Sequence, residues 1–378
     1  MRLVVIQPTS RCNLNCRYCY VPNRQDKSTI SDDHLETLFE KLFESEFLEG
    51  HTVEFLWHCG EPLLVGIDFY KKAIGLIEKF NKNQVEVKQS IQTNGLLLDK
   101  NWCEFFRNER WNVGLSVDGP EFLHDLNRRS WNDKPSHSYV MEKHCLMRSE
   151  GITTGALCVL THEHLKYPED IIEFFASHHF PSVGFNIEEI ENANTSSTLH
   201  GLSGRLDPEM LQRFSEFASR LYDAWKPYQG SLEVREFQDF FNVAASFLED
   251  GDYVRNPDEV APLGIITIHK NGDISTYSPE FAGAKDPHYN DFVITNVAEV
   301  DFSELQFHPN YLRIFDAVER HKQNCRSNCI YYPICGGAYV SNAYFESGLI
   351  ETRESTACKL LRQVLTDVLI EKLKAQSI

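Results

Sequence analysis

The chain has 378 residues, 42% of them hydrophobic and 24% charged, enough for one large domain with a substantial core and a smaller domain beside it. Its formal net charge of -18 argues against nonspecific nucleic-acid binding and against docking on an anionic membrane, so neither partner is expected. The N-terminal apolar run is only a strand long, and no signal peptide or transmembrane stretch is visible, which predicts a cytoplasmic protein.

In chain order, short apolar or β-branched runs predict strands over 3–7, 53–57, 87–92, 113–117, 155–160 and 183–187. Amphipathic helices fall between them. The clearest follows Ser31 as N-cap, with Leu35, Leu38, Phe39, Leu42 and Phe43 spaced for one face; others cover about 70–80, 102–109, 138–150 and 168–177. Six strands alternating with helices imply an α/β fold with a parallel sheet and right-handed crossovers, as a doubly wound sheet or an incomplete barrel. Asp207 then caps a helix that has Pro208 at its first position and runs to about 225; a second covers about 236–248. TIHKNGDIST reads as a hairpin around Asn271-Gly272, and a helix over 360–373 closes the chain. The expected divisions are 1–230 for the core, 231–260 for a bridging helix and 261–378 for a cysteine-rich domain.

Eleven cysteines without an export signal are metal ligands or reduced core thiols rather than disulfides. Cys12, Cys16 and Cys19 cluster at one end and Cys325, Cys329, Cys335 and Cys358 at the other. Cys59, Cys103, Cys145 and Cys158 stand singly and read as packing residues. The three thiols of TSRCNLNCRYCY, with no histidine among them, cannot close a four-ligand structural zinc site. Nor do they form the complete run of a bacterial ferredoxin. CxxxCxxC suits a 4Fe-4S cluster held at three irons, the fourth left for a ligand that is not protein.

With Tyr18 before the third cysteine, the motif resembles the CxxxCxΦC signature of the radical S-adenosylmethionine enzymes, Φ being aromatic. The resemblance implies a partial (β/α)6 TIM-like barrel. It also implies that the open iron binds S-adenosylmethionine, whose cleavage by one electron yields a 5′-deoxyadenosyl radical that abstracts hydrogen from substrate. An external one-electron donor such as flavodoxin or ferredoxin is implied as well. HCGEP, after the second strand, resembles the family's GGEP motif, which assigns Gly60 and Glu61 to the methionyl amino group. Cys59 departs from that motif's glycine. QTNG ends the third strand with Asn94, and SVDGP the fourth; Ser116 and Arg128 match positions that contact the ribose and carboxylate of the cofactor. FNIEEIE, ending the sixth strand, offers Asn186, Glu188 and Glu189 at the barrel mouth, where substrate must meet the radical.

CRSNCIYYPICGGAY, with Cys358 beyond it, resembles the SPASM extension of radical enzymes that act on peptides. That extension usually has seven cysteines for two auxiliary clusters. Cys325, Cys329, Cys335 and Cys358 match one complete set; Tyr339 stands where relatives place a ligand of the other, and the hairpin has no cysteine. One auxiliary 4Fe-4S cluster is therefore expected, with a four-cysteine zinc site as the alternative. The hairpin also lacks the aspartate that sulfatase maturases carry there, leaving Glu280 as the nearest carboxylate beyond Tyr277 and Ser278. The whole chain looks most like cyclophane-forming maturases of the GrrM/OscB type. These oxidoreductases join an aromatic ring carbon to a β-carbon in a ribosomal precursor peptide, with a proton acceptor expected among Glu188, Glu189 and Glu280. Formylglycine formation on a protein and a noncatalytic iron-sulfur role are the other readings.

Overall fold

Six segments, β1 (Arg2–Ile6), β2 (Val53–Trp57), β3 (Val87–Thr93), β4 (Asn112–Ser116), β5 (Thr154–Leu160) and β6 (Ser182–Ile187), pair in parallel in chain order. The molecule is described by a computed structural model over residues 2–50, 52–201, 206–352 and 354–376. These strands match the sequence-based bounds to within one residue at each end. The connecting helices lay their apolar stripes on the sheet. In the first, Asp32–Glu44, the Ser31 side chain accepts from the His34 N–H, and Leu35, Leu38, Phe39, Leu42 and Phe43 are all buried. Phe39 meets Phe55 of β2 edge-on, with ring centroids 5.3 Å apart. Trp57 of β2 packs in the same way on Tyr70 of the next helix, at 5.1 Å. Each such buried aromatic contributes about 1.5–3 kcal/mol relative to exposure. The result is the α/β partial barrel of alternating strands and helices.

The sheet does not end at six strands. β7 (Glu233–Val234) extends it in parallel beyond β6, and β8 (Ile265–Ile268) pairs in parallel with β1. The predicted hairpin forms, since β9 (Asp273–Thr276) returns antiparallel to β8, and β10 (Thr295–Asn296) follows antiparallel to β9. This hairpin therefore continues the barrel sheet. An open barrel leaves β1 with an unpaired edge. Here the Leu3 N–H donates to the Gly264 carbonyl at 3.0 Å and the Gln7 N–H to the Ile268 carbonyl at 2.9 Å. All four residues of β8 are buried, as expected for a strand covered on both faces.

Three of the four single cysteines are buried, and Cys145 is exposed, so it is not a packing residue. Its helix, His137–Ser149, turns Val140, Met141, His144 and Met147 inward, and Cys145 lies off that face. The closing helix is also irregular: Cys358–Val364 is wound as a π-helix, and only Leu365–Gln376 is α-helical. Among the described residues no helix is long and apolar enough to cross a membrane.

Candidate active site

The loop after β1 is pinned from both sides by backbone hydrogen bonds. The Cys12 N–H donates to the Arg24 carbonyl at 3.0 Å, the Asn15 N–H to Arg129 at 2.7 Å and the Arg17 N–H to Asn127 at 3.1 Å. Leu14 is buried as the loop's apolar anchor. The side chains of Cys12, Cys16 and Cys19 line a cavity of about 170 Å³ at the carboxyl ends of the strands, where ligands gather in parallel α/β folds. Tyr18, Gly60, Glu61, Asn94, Ser116, Arg128, Glu188, Glu189 and Glu280 line it too. Every cofactor and catalytic candidate from sequence thus meets the three thiols in one cavity.

The loop after β2 explains why this stretch needs glycine. Gly60 has φ +128, and a Cβ there would overlap the Thr9 carbonyl oxygen and stand 3.0 Å from that of Arg11. The cysteine loop and the GEP loop can touch only because Gly60 has no side chain. The Glu61 N–H then donates to the Arg11 carbonyl at 2.8 Å, closing the contact. The buried Glu61 carboxylate accepts from the Leu63 N–H at 3.0 Å, the Thr93 hydroxyl at 2.7 Å and the Asn94 N–H at 2.9 Å. Burial pushes its carboxyl up to about 7 despite these donors. Cys59, with φ +69, occupies the left-handed region that favours glycine. It packs with Val5, Val21 and Ile265, its sulfur 3.4 Å from the Tyr20 hydroxyl.

Asp118, which the sequence reading passed over, is the hub of the next loop. Its carboxylate pairs with Arg128 Nε at 3.0 Å, accepts from the Val159 N–H at 3.0 Å and accepts from the Tyr18 hydroxyl. Burial opposes its ionisation, yet the Arg128 guanidinium beside it holds the carboxyl below its usual range. Tyr18 and Arg128, 110 residues apart in sequence, thereby share one counterion. SVDGP shows an acid at a strand end, but nothing local says what it faces. Asp118→Ala is expected to destabilise the fold by about 3–5 kcal/mol, because it leaves a buried arginine uncompensated. Thermal or denaturant unfolding of the purified variant measures this.

The candidate carboxylates divide. Glu188 is committed to the following loop, where its Oε2 accepts from the Thr198 N–H at 2.6 Å and from the Thr198 hydroxyl. Glu189 and Glu280 instead stand with Glu191, a residue the sequence reading did not single out. Burial first, and Glu280 second, raise the Glu189 carboxyl to about 8. Burial, then Glu189 and Glu280, push Glu191 well above the carboxylate range. Burial also raises Glu280, against the pull of the Ser278 hydroxyl bonded to it. Ser341 and Asn342 each donate to Glu191 Oε1 at 2.9 Å, so the C-terminal part of the chain holds this residue in place.

A second cavity, of about 390 Å³, opens beyond this group between β6, the bridging helix Arg235–Glu249 and the C-terminal segment. Asn186, Glu189, Glu191 and Glu280 line both cavities. Arg235, Arg255 and Arg362 line the second, none of them singled out by sequence because they come from three separate elements.

At the other end of the chain, Cys325 and Cys329 stand at the end of helix Pro309–Asn328, Cys335 ends a short helix, and Cys358 opens the π-helical turn. The four are brought together. Burial first, and then Cys335, Cys325 and Cys329 as neighbours, push the Cys358 thiol up to about 12. Gly336, at φ +69, allows the backbone to pass under Arg255, where a Cβ would overlap the Arg255 carbonyl oxygen.

Three thiols around a cavity, a glycine notch at their loop and a braced carboxylate fit a three-cysteine cluster with a small-molecule ligand. Comparison with known proteins agrees. The Radical SAM superfamily description matches residues 6–175. An uncharacterized protein of Synechocystis sp. is 34% identical over 376 residues, covering 98% of this chain and 92% of that protein. The cysteine-type anaerobic sulfatase-maturating enzyme of Clostridium novyi is 29% identical over 345 residues, or 88% of this chain and 86% of its own. The solved structure of anSMEcpe with bound AdoMet and Cp18Cys peptide superposes with a TM-score of 0.78 at 19% identity, covering 99% of this chain and 98% of that one. The chain belongs to the radical SAM superfamily, whose cofactors are a 4Fe-4S cluster and S-adenosylmethionine.

Proposed function

We propose that this protein oxidises a residue of a bound peptide, with the cofactors in the smaller cavity and the peptide residue in the larger. The observation that carries this reading is the junction of the two cavities at Asn186, Glu189, Glu191 and Glu280, beside the three-cysteine loop. Together the cluster and S-adenosylmethionine supply a radical able to take a hydrogen atom from substrate; the protein's part is to hold, orient and shield. Cys12, Cys16 and Cys19 would hold the cluster. Gly60 keeps the cofactor-facing loop against them, and Glu61 braces that loop to β3 through Thr93 and Asn94. Ser116, which accepts from Gln92 Nε2 at 3.0 Å, suits a ribose hydroxyl. Arg128, aimed by Asp118, suits a carboxylate. Cys325, Cys329, Cys335 and Cys358 fit an auxiliary 4Fe-4S cluster, which would supply a one-electron acceptor. A four-cysteine zinc site is the other group these residues could hold.

The net reaction removes two hydrogens from the peptide, one as an atom and one as a proton with its electron. Glu189 and Glu280, buried residues that line both cavities, would accept that proton. A cyclophane between an aromatic ring and a β-carbon is the product we favour. The specific observation behind the second reading, formylglycine formation, is the chain-long similarity to the C. novyi enzyme.

Mass spectrometry of modified candidate peptides tests both. A crosslinked product is lighter by two hydrogens, resists backbone cleavage between the joined residues and lacks one aromatic proton by NMR. A two-hydrogen loss with full fragmentation and every ring proton present would leave formylglycine formation standing.

A further inference from the structure

The larger cavity carries three guanidiniums on its wall, and they are not equally occupied. Arg235 is committed. Its Nε donates to Glu236 Oε1 at 2.7 Å, and its Nη2 to the Phe185 carbonyl at 3.0 Å and to Asn186 Oδ1 at 2.8 Å. Arg255 Nη2 donates to Asp239 Oδ2, on the bridging helix, at 2.9 Å. Arg362 approaches only that same oxygen, at 3.5 Å, and among the described residues its side chain makes no hydrogen bond.

That is a costly arrangement for a guanidinium. The Arg362 side chain is only 12% exposed, yet its five N–H donors find no acceptor in the protein. Two cations meet at one carboxylate, which leaves a buried positive charge uncompensated at close range. Glu259 lines the cavity as well and acts on Arg362 through space, but it makes no ion pair with it. Glu189, Glu191 and Glu280, where the two cavities join, are buried in a way that favours their neutral forms. Both arginines are nevertheless held in place by the C-terminal segment. The Arg255 N–H donates to the Pro333 carbonyl at 2.8 Å, and the Arg362 guanidinium lies over the Tyr339 ring, 5.5 Å from its centroid.

We propose that Arg362, with Arg255 beside it, binds a carboxylate of the peptide, so that the substrate is an acidic peptide whose charged group lies close to the residue oxidised. The inference rests on the larger cavity being the peptide site. A carboxylate brings two acceptor oxygens and a full negative charge to donors that Arg362 leaves unused, whereas an amide of the same shape brings one oxygen and no charge. The cavity, about 390 Å³, stands at the small end of ligand pockets, which keeps the anion near the reacting residue. The carboxylate can belong to an Asp or Glu side chain or to the end of the peptide. The competing assignment gives Arg362 to the C-terminal cysteines, because Cys335 is among the groups acting on it.

The test uses the full-length, anaerobically reconstituted protein with S-adenosylmethionine and two synthetic pools of random tetrapeptides. In the first, acetylated peptide amides contain Asp and Asn, and Glu and Gln, in equal amounts. The second lacks Asp and Glu and mixes free C-terminal acids with C-terminal amides. Mass spectrometry of the retained peptides should show acidic members enriched at least about tenfold over their neutral counterparts, in the first pool for a side-chain carboxylate and in the second for a terminal one. Arg362→Gln and Arg255→Gln should each bring that ratio down toward one, and Arg362→Lys, which keeps the charge without the fork, should fall between. Iron content and thermal unfolding report whether each variant is folded. Retention of peptides with no acidic preference in either pool would overturn the inference and leave the peptide reading intact. Retention of no peptide would overturn that reading and this inference with it. An acidic preference that persists in Arg362→Gln, or in Arg255→Gln should Arg362→Gln not fold, would also overturn the inference; a loss of iron in Arg362→Gln beside that persistence would give the residue to the C-terminal cysteines.

Discussion

Cys16→Ala is expected to abolish cleavage of S-adenosylmethionine, whereas Cys59→Ala keeps most of it. Cys16 lines the cofactor cavity, and a cluster held through three thiolates has no substitute when one is lost. Burial pushes its thiol up to about 11, so this side chain is protonated until iron displaces the proton. Cys59 is the next cysteine after the loop and could be mistaken for a fourth ligand by sequence, but it sits among Val5, Val21 and Ile265. Release of 5′-deoxyadenosine by the reduced protein reads out the difference. Iron and sulfide should be about eight each per chain in the unaltered protein and about four in Cys16→Ala, the usual four per cluster. About four irons with one zinc in the unaltered protein would assign the C-terminal cysteines to zinc. Loss of the N-terminal cluster in Cys59→Ala would make that residue a ligand.

Glu189→Gln is expected to lower product formation by about 10²- to 10⁴-fold, the usual worth of a positioned base, with iron content and S-adenosylmethionine binding retained. The carboxyl is raised to about 8 by burial and by Glu280, while Asn342 pulls it down and Glu346 adds to the rise. Below pH 8 it is mostly protonated and cannot accept a proton. Activity should therefore climb from pH 7 to pH 9 and level off, and Glu189→Gln should lose this dependence. The same shift has a stability consequence of opposite sign. Between the ordinary carboxylate range and about 8 the folded chain keeps a proton that the unfolded chain releases, so stability falls as pH rises through that window. Glu191 and Glu280 shift in the same direction and add to the fall. Unaltered activity and a flat pH profile in Glu189→Gln would move the proton acceptor elsewhere.

What the sequence determined by itself is what short-range chemistry encodes. The six barrel strands and the Ser31-capped helix follow from side-chain periodicity and from one cap, both contained within a dozen residues. Cys12, Cys16 and Cys19 were legible as a unit because one loop carries all three, so their spacing alone limits what they can bind. Gly60 was legible as part of a cofactor motif, although the atoms it makes room for, the carbonyls of Thr9 and Arg11, were not.

Tertiary structure decided whatever depends on elements distant in sequence. The pairing of β8 with β1 joins residues more than 250 positions apart, and no local pattern distinguishes a hairpin that stands alone from one that continues a barrel. Asp118 became the partner of Tyr18 and Arg128 only when three loops met at the strand ends. Glu191 entered the site because the chain turns at Asn192, φ +46, and because Ser341 and Asn342 reach it from the C-terminal segment. Cys145 looked like its buried counterparts until the phase of its helix placed it in solvent. The physical reason is common to all four. Periodicity and capping are set by neighbours along the chain, whereas a buried charge, a sheet edge and a solvent-facing thiol are defined by which remote surface covers them, or leaves them uncovered, after the chain has folded.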